Sequence, residues 1–305
     1  MAVVVTGTSG FIGRSLVDRL TGDGHDVVAI DRRPTPLGNR VTPVLGDLAV
    51  RDADVDHALR TAVAVFHLAG RPGVRSAGPD TARRRWRDNV FATERVLAVT
   101  PLSVPVVVAS SSSVYGGARV VDGALRPSHE SDALHPRGGH ARSKALLEVA
   151  NARRAAAGGR VAVVRPSTVV GEGQRSDMAM ARWIAAAAAG RCLKVYGDGA
   201  RRRDFTAVDD VVEGLVRIWE RGIDATLNLG TGRAVRLDHV IAHIAGALGI
   251  EVATRTVPVS GEDVADTLAD TRRCEALLGF RPTTDLAAIV ARQLPSAALA
   301  VGASA

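Results

Sequence analysis

The chain has 305 residues, 46% of them hydrophobic and 23% charged, which suits one large packed domain or a nucleotide-binding domain with a smaller lobe. Its net charge of +7 does not read as nucleic-acid binding, because the arginines are spread along the chain and only 3% of residues are aromatic; a phosphate-bearing small molecule explains a basic cleft equally well. No apolar run approaches the roughly 20 residues that cross a bilayer, MAVVVTGTSG lacks the basic head and cleavage site of a signal peptide, and Cys192 and Cys274 stand in no metal-type spacing. The expectation is a cytoplasmic protein with two reduced thiols, no metal, and neither membrane nor nucleic acid as partner.

From the N-terminus, AVVVTG (2–7) reads as a buried strand and FIGRSLVDRLTGDG as a helix ending near Gly22 or Gly24. DVVAID (26–31), VTPVLGD (41–47) and VAVFHLAG (63–70) follow as strands, then a helix over about 80–100 and PVVVASSS (105–112) as a further strand. A long helix is predicted over 140–157, with RVAVVRPS (160–167) as the next strand. Strands this continuously apolar, alternating with helices, predict an α/β fold built on a doubly wound parallel sheet. After Gly171 the pattern loosens: MAMARWIAAAAAG reads as a helix, KVYGDG as a short strand and turn, and DDVVEGLVRIWERG and LDHVIAHIAGALG as amphipathic helices. The last residues, ALAVGASA, read as a frayed tail. The expected division is a nucleotide-binding domain over 1–170 that takes back 204–232, and a smaller substrate-binding lobe from 171–203 and 233–305.

TGTSGFIG sets Gly7, Gly10 and Gly13 between the first strand and the first helix, where the chain turns sharply and a backbone can approach a pyrophosphate. Phe11, Ile12 and Gly13 open that helix, whose unpaired N–H groups and positive dipole end suit phosphate. Asp31 ends the second strand, where a carboxylate accepts hydrogen bonds from an adenosine ribose. NAD is the expected cofactor, since a 2′-phosphate would meet that charge; Arg32 and Arg33 follow directly and leave NADP as the lesser alternative. Lys144 and Lys194 are the only lysines in an arginine-biased chain. A lysine kept against such a bias is either chance or a position with a use for a compact ammonium that a guanidinium cannot imitate.

These segments, with GDL (Asp47, Leu48), HLAG (Leu68, Ala69 and Gly70 after His67), DNVFATERVL (Asn89), ASSSSVYG, RPSTVVGEGQ, YGDGARRRDFTAVDD, NLGTG and LLGFRP, resemble the NAD-dependent epimerase/dehydratase family of extended short-chain dehydrogenases over nearly the whole chain. The resemblance implies a Rossmann domain with Asp47 and Leu48 against the adenine, the 68–70 backbone and Pro166 along the cofactor, and a smaller substrate lobe. It also implies a Ser–Tyr–Lys group in which lysine binds the nicotinamide ribose and depresses the tyrosine pKa, so that a phenolate takes a proton from a substrate hydroxyl while its carbon gives hydride to NAD. Ser111 and Lys144 match two of these positions. The third is His140, in HPRGGHARSK, one helical turn before Lys144.

Three readings of His140 compete. Imidazole is a base near neutral pH without a lysine's help, and Lys144 and a charged nicotinamide would hold it neutral, so His140 is the leading acid/base. Alternatively redox chemistry is lost and the protein is a dinucleotide-binding regulator, or another residue, Tyr115 above all, moves the proton. Ser112 and Ser113 stand where dehydratases of the family carry Asp-Glu, which argues against 4,6-dehydration. Thr168 replaces the family's substrate-contacting Asn, and Tyr115 is placed to line the same pocket. Arg203 matches an arginine on the diphosphate of a nucleotide sugar. A second such arginine is expected near Ser260, with Arg201 or Arg255 as substitutes. The resemblance thus implies a nucleotide-sugar epimerase, with net oxidation or reduction of a keto-sugar or specialised metabolite as runner-up. It also implies a homodimer paired through the helices near 80–100 and from 140.

Overall fold

The computed structural model describes residues 2–34, 38–73, 78–197, 199–259 and 263–302. Its strands are β1 (Val3–Thr6), β2 (Val27–Asp31), β3 (Val41–Leu45), β4 (Ala64–His67), β5 (Val106–Ala109), β6 (Arg119–Val121), β7 (Ala124–Arg126), β8 (Val161–Pro166), β9 (Thr168–Val170), β10 (Leu193–Tyr196), β11 (Arg202–Ala207), β12 (Thr226–Leu229), β13 (Ala234–Arg236) and β14 (Thr254–Val257). Its α-helices are α1 (Phe11–Gly22), α2 (Ala53–Thr61), α3 (Pro79–Arg85), α4 (Ala92–Val99), α5 (Gly138–Ala156), α6 (Ala179–Ala188), α7 (Val208–Glu220), α8 (Leu237–Leu248), α9 (Arg272–Leu278) and α10 (Leu286–Gly302).

Seven strands form one parallel sheet in the order β12-β8-β5-β4-β1-β2-β3. The order reverses at β1, and the crevice beyond the carboxyl ends of β1 and β4 is where such sheets bind ligands. The apolar runs are continuous because both faces are covered: Val3 and Val5 pack with α1 and α7, while Val4 packs with α2, α4 and α5. Pro43 is tolerated because β3 is an edge strand, with no neighbour on its outer side to miss the lost N–H. Helix α7 shows the same logic in three-dimensional form: Val208, Val211, Val212, Leu215, Val216 and Ile218 bury one stripe, and Asp209 and Asp210 face its positive end.

The later segments build a second core from Met180, Trp183 and Ile184 of α6, Leu193 and Val195 of β10, Val240 and Ile244 of α8, and Ile289 and Val290 of α10. A three-stranded sheet, β13-β11-β9, leads from the large sheet towards this core. Buried Asp204 on β11 ties it down by accepting hydrogen bonds from Thr231 N, Thr231 Oγ1, Gly232 N and Ala269 N. Two expectations need correction. The helix predicted over 80–100 is interrupted by a π turn at Trp86–Phe91, and α10 carries helical backbone through Gly302, into the stretch expected to fray. Apolar periodicity registers neither a single inserted residue in a turn nor a helix rich in alanine.

Candidate active site

The dinucleotide end is made of main chain. Gly7 has φ +78°, and a Cβ on it would sit 2.7 Å from Ala69 N; a Cβ on Gly13 would sit 2.2 Å from Gly7 O. Glycine is therefore required for backbone to pass backbone, which is what the spacing predicted. Helix α1 has no side-chain cap at Gly10, and its first turn closes with Arg14 N donating to Gly10 O, so the Phe11, Ile12 and Gly13 N–H groups face outward along the axis. Asp31 accepts from Ser9 N at 2.9 Å and from Arg33 N at 3.0 Å, which fixes its carboxylate beside the loop. This uncapped helix start with an adjacent carboxylate fits the pyrophosphate and ribose of NAD.

The arginines after Asp31 take separate posts. Arg32 pairs with Asp88 and, at 3.9 Å, with Asp47, while Arg33 donates to Ser9 Oγ at 2.9 Å. Burial works to raise the Asp47 carboxyl, but Arg87 and the Ala49 N–H hold it below the usual range. Leu48 beside it is buried. In HLAG, His67 is a structural residue: Nδ1 meets Thr6 Oγ1 at 2.8 Å and Nε2 meets Thr93 Oγ1 at 2.9 Å. Burial, with the Lys144 charge, pushes it down to about 3, so it is neutral. Leu68 N and Ala69 N both bond to Thr6, holding the 68–70 backbone over the end of β1.

At the other end Gly70, Asn89 and Lys144 converge: a Cβ on Gly70 would lie 2.9 Å from Asn89 Oδ1 and 3.6 Å from Lys144 Nζ. Asn89 accepts from Arg71 N and donates to Ser143 Oγ at 2.8 Å. Lys144 is 8% exposed and donates to the Ala109 carbonyl at 2.6 Å. Burial pushes its ammonium down to about 8, with Glu148 pulling the other way. Glu148 itself is held by Arg165 Nη2 at 2.6 Å.

His140 lies one turn before Lys144 on α5, and its Nδ1 is buried with no hydrogen-bond partner among the described residues. Burial first, then the charges of Lys144, Arg85 and Arg175, push its imidazole down to about 4, against an opposing hydrogen bond with the Arg71 main chain. At neutral pH it is an uncharged base. Ser113 Oγ is likewise buried and unpartnered among the described residues, whereas Ser111 Oγ caps the short 3₁₀ turn Ser112–Tyr115 by accepting from Ser113 N at 3.1 Å. Ser111 Oγ thus accepts from backbone at the strand end, which leaves its O–H to donate, while Ser113 Oγ is buried without a partner among the described residues.

Two expected substrate contacts are placed elsewhere. Tyr115 is 6% exposed; its hydroxyl donates to Asn228 Oδ1 at 2.7 Å and accepts from Arg165 Nη1 at 2.8 Å, and burial pushes it up to about 12. It packs in the core with its hydroxyl committed to Asn228 and Arg165. Arg203 donates to the Ala265 and Val264 carbonyls at 2.6 and 2.8 Å, clamping the chain beyond Ser260, which is itself outside the described residues. Thr168 opens β9 opposite Phe205, and Pro166 is buried at the end of β8. Sequence reading missed Arg85, Ser143 and Asp204. The run RRR and the segment RDF were visible, but which of several charges turns inward depends on the π turn and on loops remote in sequence.

Residues 3–230 match the family model described as the NAD dependent epimerase/dehydratase family. A UDP-glucose 4-epimerase of Mycolicibacterium smegmatis is 31% identical, with 96% of this chain and 97% of that protein covered. A probable UDP-glucuronate 4-epimerase of Rhizobium meliloti is 29% identical over 96% and 95%. The solved structure of MoeE5 in complex with UDP-glucuronic acid and NAD has a TM-score of 0.88 at 37% identity, covering 97% of this chain and 98% of that one. A match over three quarters of the length, in a chain whose sheet and glycine loop have the corresponding geometry, settles the classification: the chain belongs to the NAD-dependent epimerase/dehydratase family.

Proposed function

We propose that the protein is an NAD-dependent epimerase acting on a hydroxyl of a nucleotide-linked hexose that carries a ring carboxylate, such as UDP-glucuronic acid, with His140 as the acid/base. The observation that carries this reading is the neutral imidazole one turn from Lys144, whose buried Nδ1 has no hydrogen-bond partner among the described residues. NAD, when bound, supplies a hydride acceptor and later returns the hydride. Gly7, Gly10, Phe11, Ile12 and Gly13 would hold its pyrophosphate, Asp31 its adenosine ribose, Asp47 and Leu48 its adenine, and Asn89 and Lys144 its nicotinamide end.

His140 takes the proton of the sugar hydroxyl and gives it back to the same oxygen after the ring has turned over. Ser113 donates a hydrogen bond to that oxygen. Lys144 and Arg85 form no ion pair among the described residues, so the site has a surplus of positive charge. A substrate carboxylate would offset that surplus and lift the imidazole towards the working pH, which makes a uronic acid a better match than a neutral hexose. The name of the Rhizobium meliloti relative supports the same class, the Mycolicibacterium smegmatis relative supports a neutral hexose, and MoeE5, solved with UDP-glucuronic acid and with UDP-glucose, is compatible with either.

The reading includes a cytoplasmic homodimer with the smaller lobe at 171–203 and 233–305. Trp86, Phe91, Leu146 and Val149, 53%, 40%, 50% and 46% exposed, present an apolar face across the helices around the π turn and α5, which supports pairing there. A monomeric mass at micromolar concentration would count against it. The function is tested by incubating NAD-loaded protein with UDP-glucuronic acid or UDP-glucose and separating the products. The expected result is the C4 epimer from the uronic acid, at least about tenfold faster than from glucose, with no net reduced cofactor. Net reduced cofactor would replace epimerisation with oxidation. Equal rates would remove the carboxylate from the reading.

A further inference from the structure

Arg85, the last residue of α3, is 3% exposed, yet it forms no ion pair among the described residues. Its Nη2 donates to the Gly73 carbonyl, and its Nε is buried with no partner among the described residues. Asp88, three residues on, is taken by Arg32, Arg71 and Arg87. A buried cation without a counter-ion is costly and needs a reason.

The reason lies in how two helices meet. The π turn brings Arg85 and Asn89 both to the buried side, while Trp86 between them stays 53% exposed. Opposite them on α5 stand Gly139 and Ser143, also four residues apart. A Cβ on Gly139 would lie 2.8 Å from Arg85 Nη1, and Asn89 Nδ2 meets Ser143 Oγ at 2.8 Å. His140 and Lys144 are the residues directly after these two contacts. One pair of contacts therefore seats His140 as the other seats Lys144.

We infer that Arg85 is a positioning residue for His140: seated against Gly139, its guanidinium fixes the first turn of α5 and keeps an excess proton off the neighbouring imidazole. This rests on the reading of His140 as the acid/base. The groups that act on the imidazole are Lys144 from α5, Arg85 from α3, the Arg71 main chain from the segment after β4, and Arg175, itself paired with Asp177, from the segment after β9. All three charges are positive, so a proton received from substrate is held weakly and is returned readily when the carbonyl is reduced again. Proton and hydride both go out and come back, and the cycle balances with no other reactant.

The test is a histidine NMR titration of the NAD-loaded protein, with the His140 signal assigned by His140→Gln, beside the pH profile of kcat/KM. Arg85→Gln is expected to raise the His140 pKa by about one unit or more, with the acid limb of activity moving alongside; Arg85→Lys, which keeps the charge, should move neither by more than about half a unit. If Arg85→Gln does not fold, Gly139→Ala, which displaces the guanidinium without removing it, should shift His140 in the same direction by less. An unchanged His140 pKa, with or without lost activity, overturns the inference. A shifted pKa with an unmoved acid limb keeps Arg85 and removes His140 as the acid/base.

Discussion

The starts of α1 and α5 both depend on glycine, but the glycines answer to different neighbours. At α1, Gly7 and Gly13 let backbone touch backbone, and the contact that a Cβ would make is 2.2 Å from a carbonyl oxygen. At α5, Gly139 makes room for the end of an arginine side chain, with 2.8 Å to its Nη1. The first arrangement binds a feature common to every dinucleotide and uses main-chain N–H groups. The second seats His140, our proposed acid/base at the position where the resemblance implies a tyrosine, and sets buried charge beside it. Main-chain construction permits little variation, whereas side-chain construction allows one catalytic group to replace another if its surroundings change too.

Substitutions at the two helix starts separate these modes, and the largest effect belongs to the first. Gly13→Ala meets immovable backbone and should cost about 3 kcal/mol of stability, read as a lowered Tm, together with loss of NAD binding. Gly139→Ala meets a flexible side-chain end and should cost about 1 kcal/mol or less while disturbing turnover. Equal losses would erase the distinction. Lys144→Ala should lower kcat/KM by about 10²- to 10⁴-fold and weaken NAD, because in the proposed reading the ammonium serves both the cofactor ribose and the site's charge balance; a drop below tenfold would show that the neutral imidazole works without it.

Acid stability gives a smaller, graded effect. Burial drives His67 and His140 down to about 3 and about 4, so between those values and the ordinary 6.5 the unfolded chain binds more protons than the folded one. The contribution of both neutral imidazoles is therefore complete above about pH 6.5 and is lost as pH falls towards 4 and then 3. His67→Gln should flatten the fall in Tm across that window, and His140→Gln should flatten its upper part. A wild-type Tm independent of pH from 6.5 to 4 would contradict the buried neutral state of both.

The sequence made the sheet legible because strands covered on both faces must be apolar throughout, as Val3, Val4 and Val5 are. It made the dinucleotide loop legible because glycine spacing is dictated by backbone approach. Less followed for the substrate side. The sequence points to Arg203 as a diphosphate ligand and to Tyr115 as pocket lining, but it does not show that Arg203 also donates to the Ala265 and Val264 carbonyls or that the Tyr115 hydroxyl joins Asn228 and Arg165. These partners lie from 50 to 113 residues away in the chain, beyond any local pattern. Arg85 was hidden for a different reason: of Arg83, Arg84 and Arg85 only the last is buried, and the helical phase that selects it is set by the π turn.

The proposed chemistry depends on His140. NAD-loaded protein mixed rapidly with UDP-glucuronic acid, with absorbance of the reduced nicotinamide followed in wild type and in His140→Ala, tests it most directly. The expected result is a transient of reduced cofactor in wild type that is at least about 10²-fold slower in the alanine variant, and that alters with pH in wild type alone. A transient of the same rate and amplitude in both proteins would show that the proton leaves by another route, and would return the imidazole to a structural role.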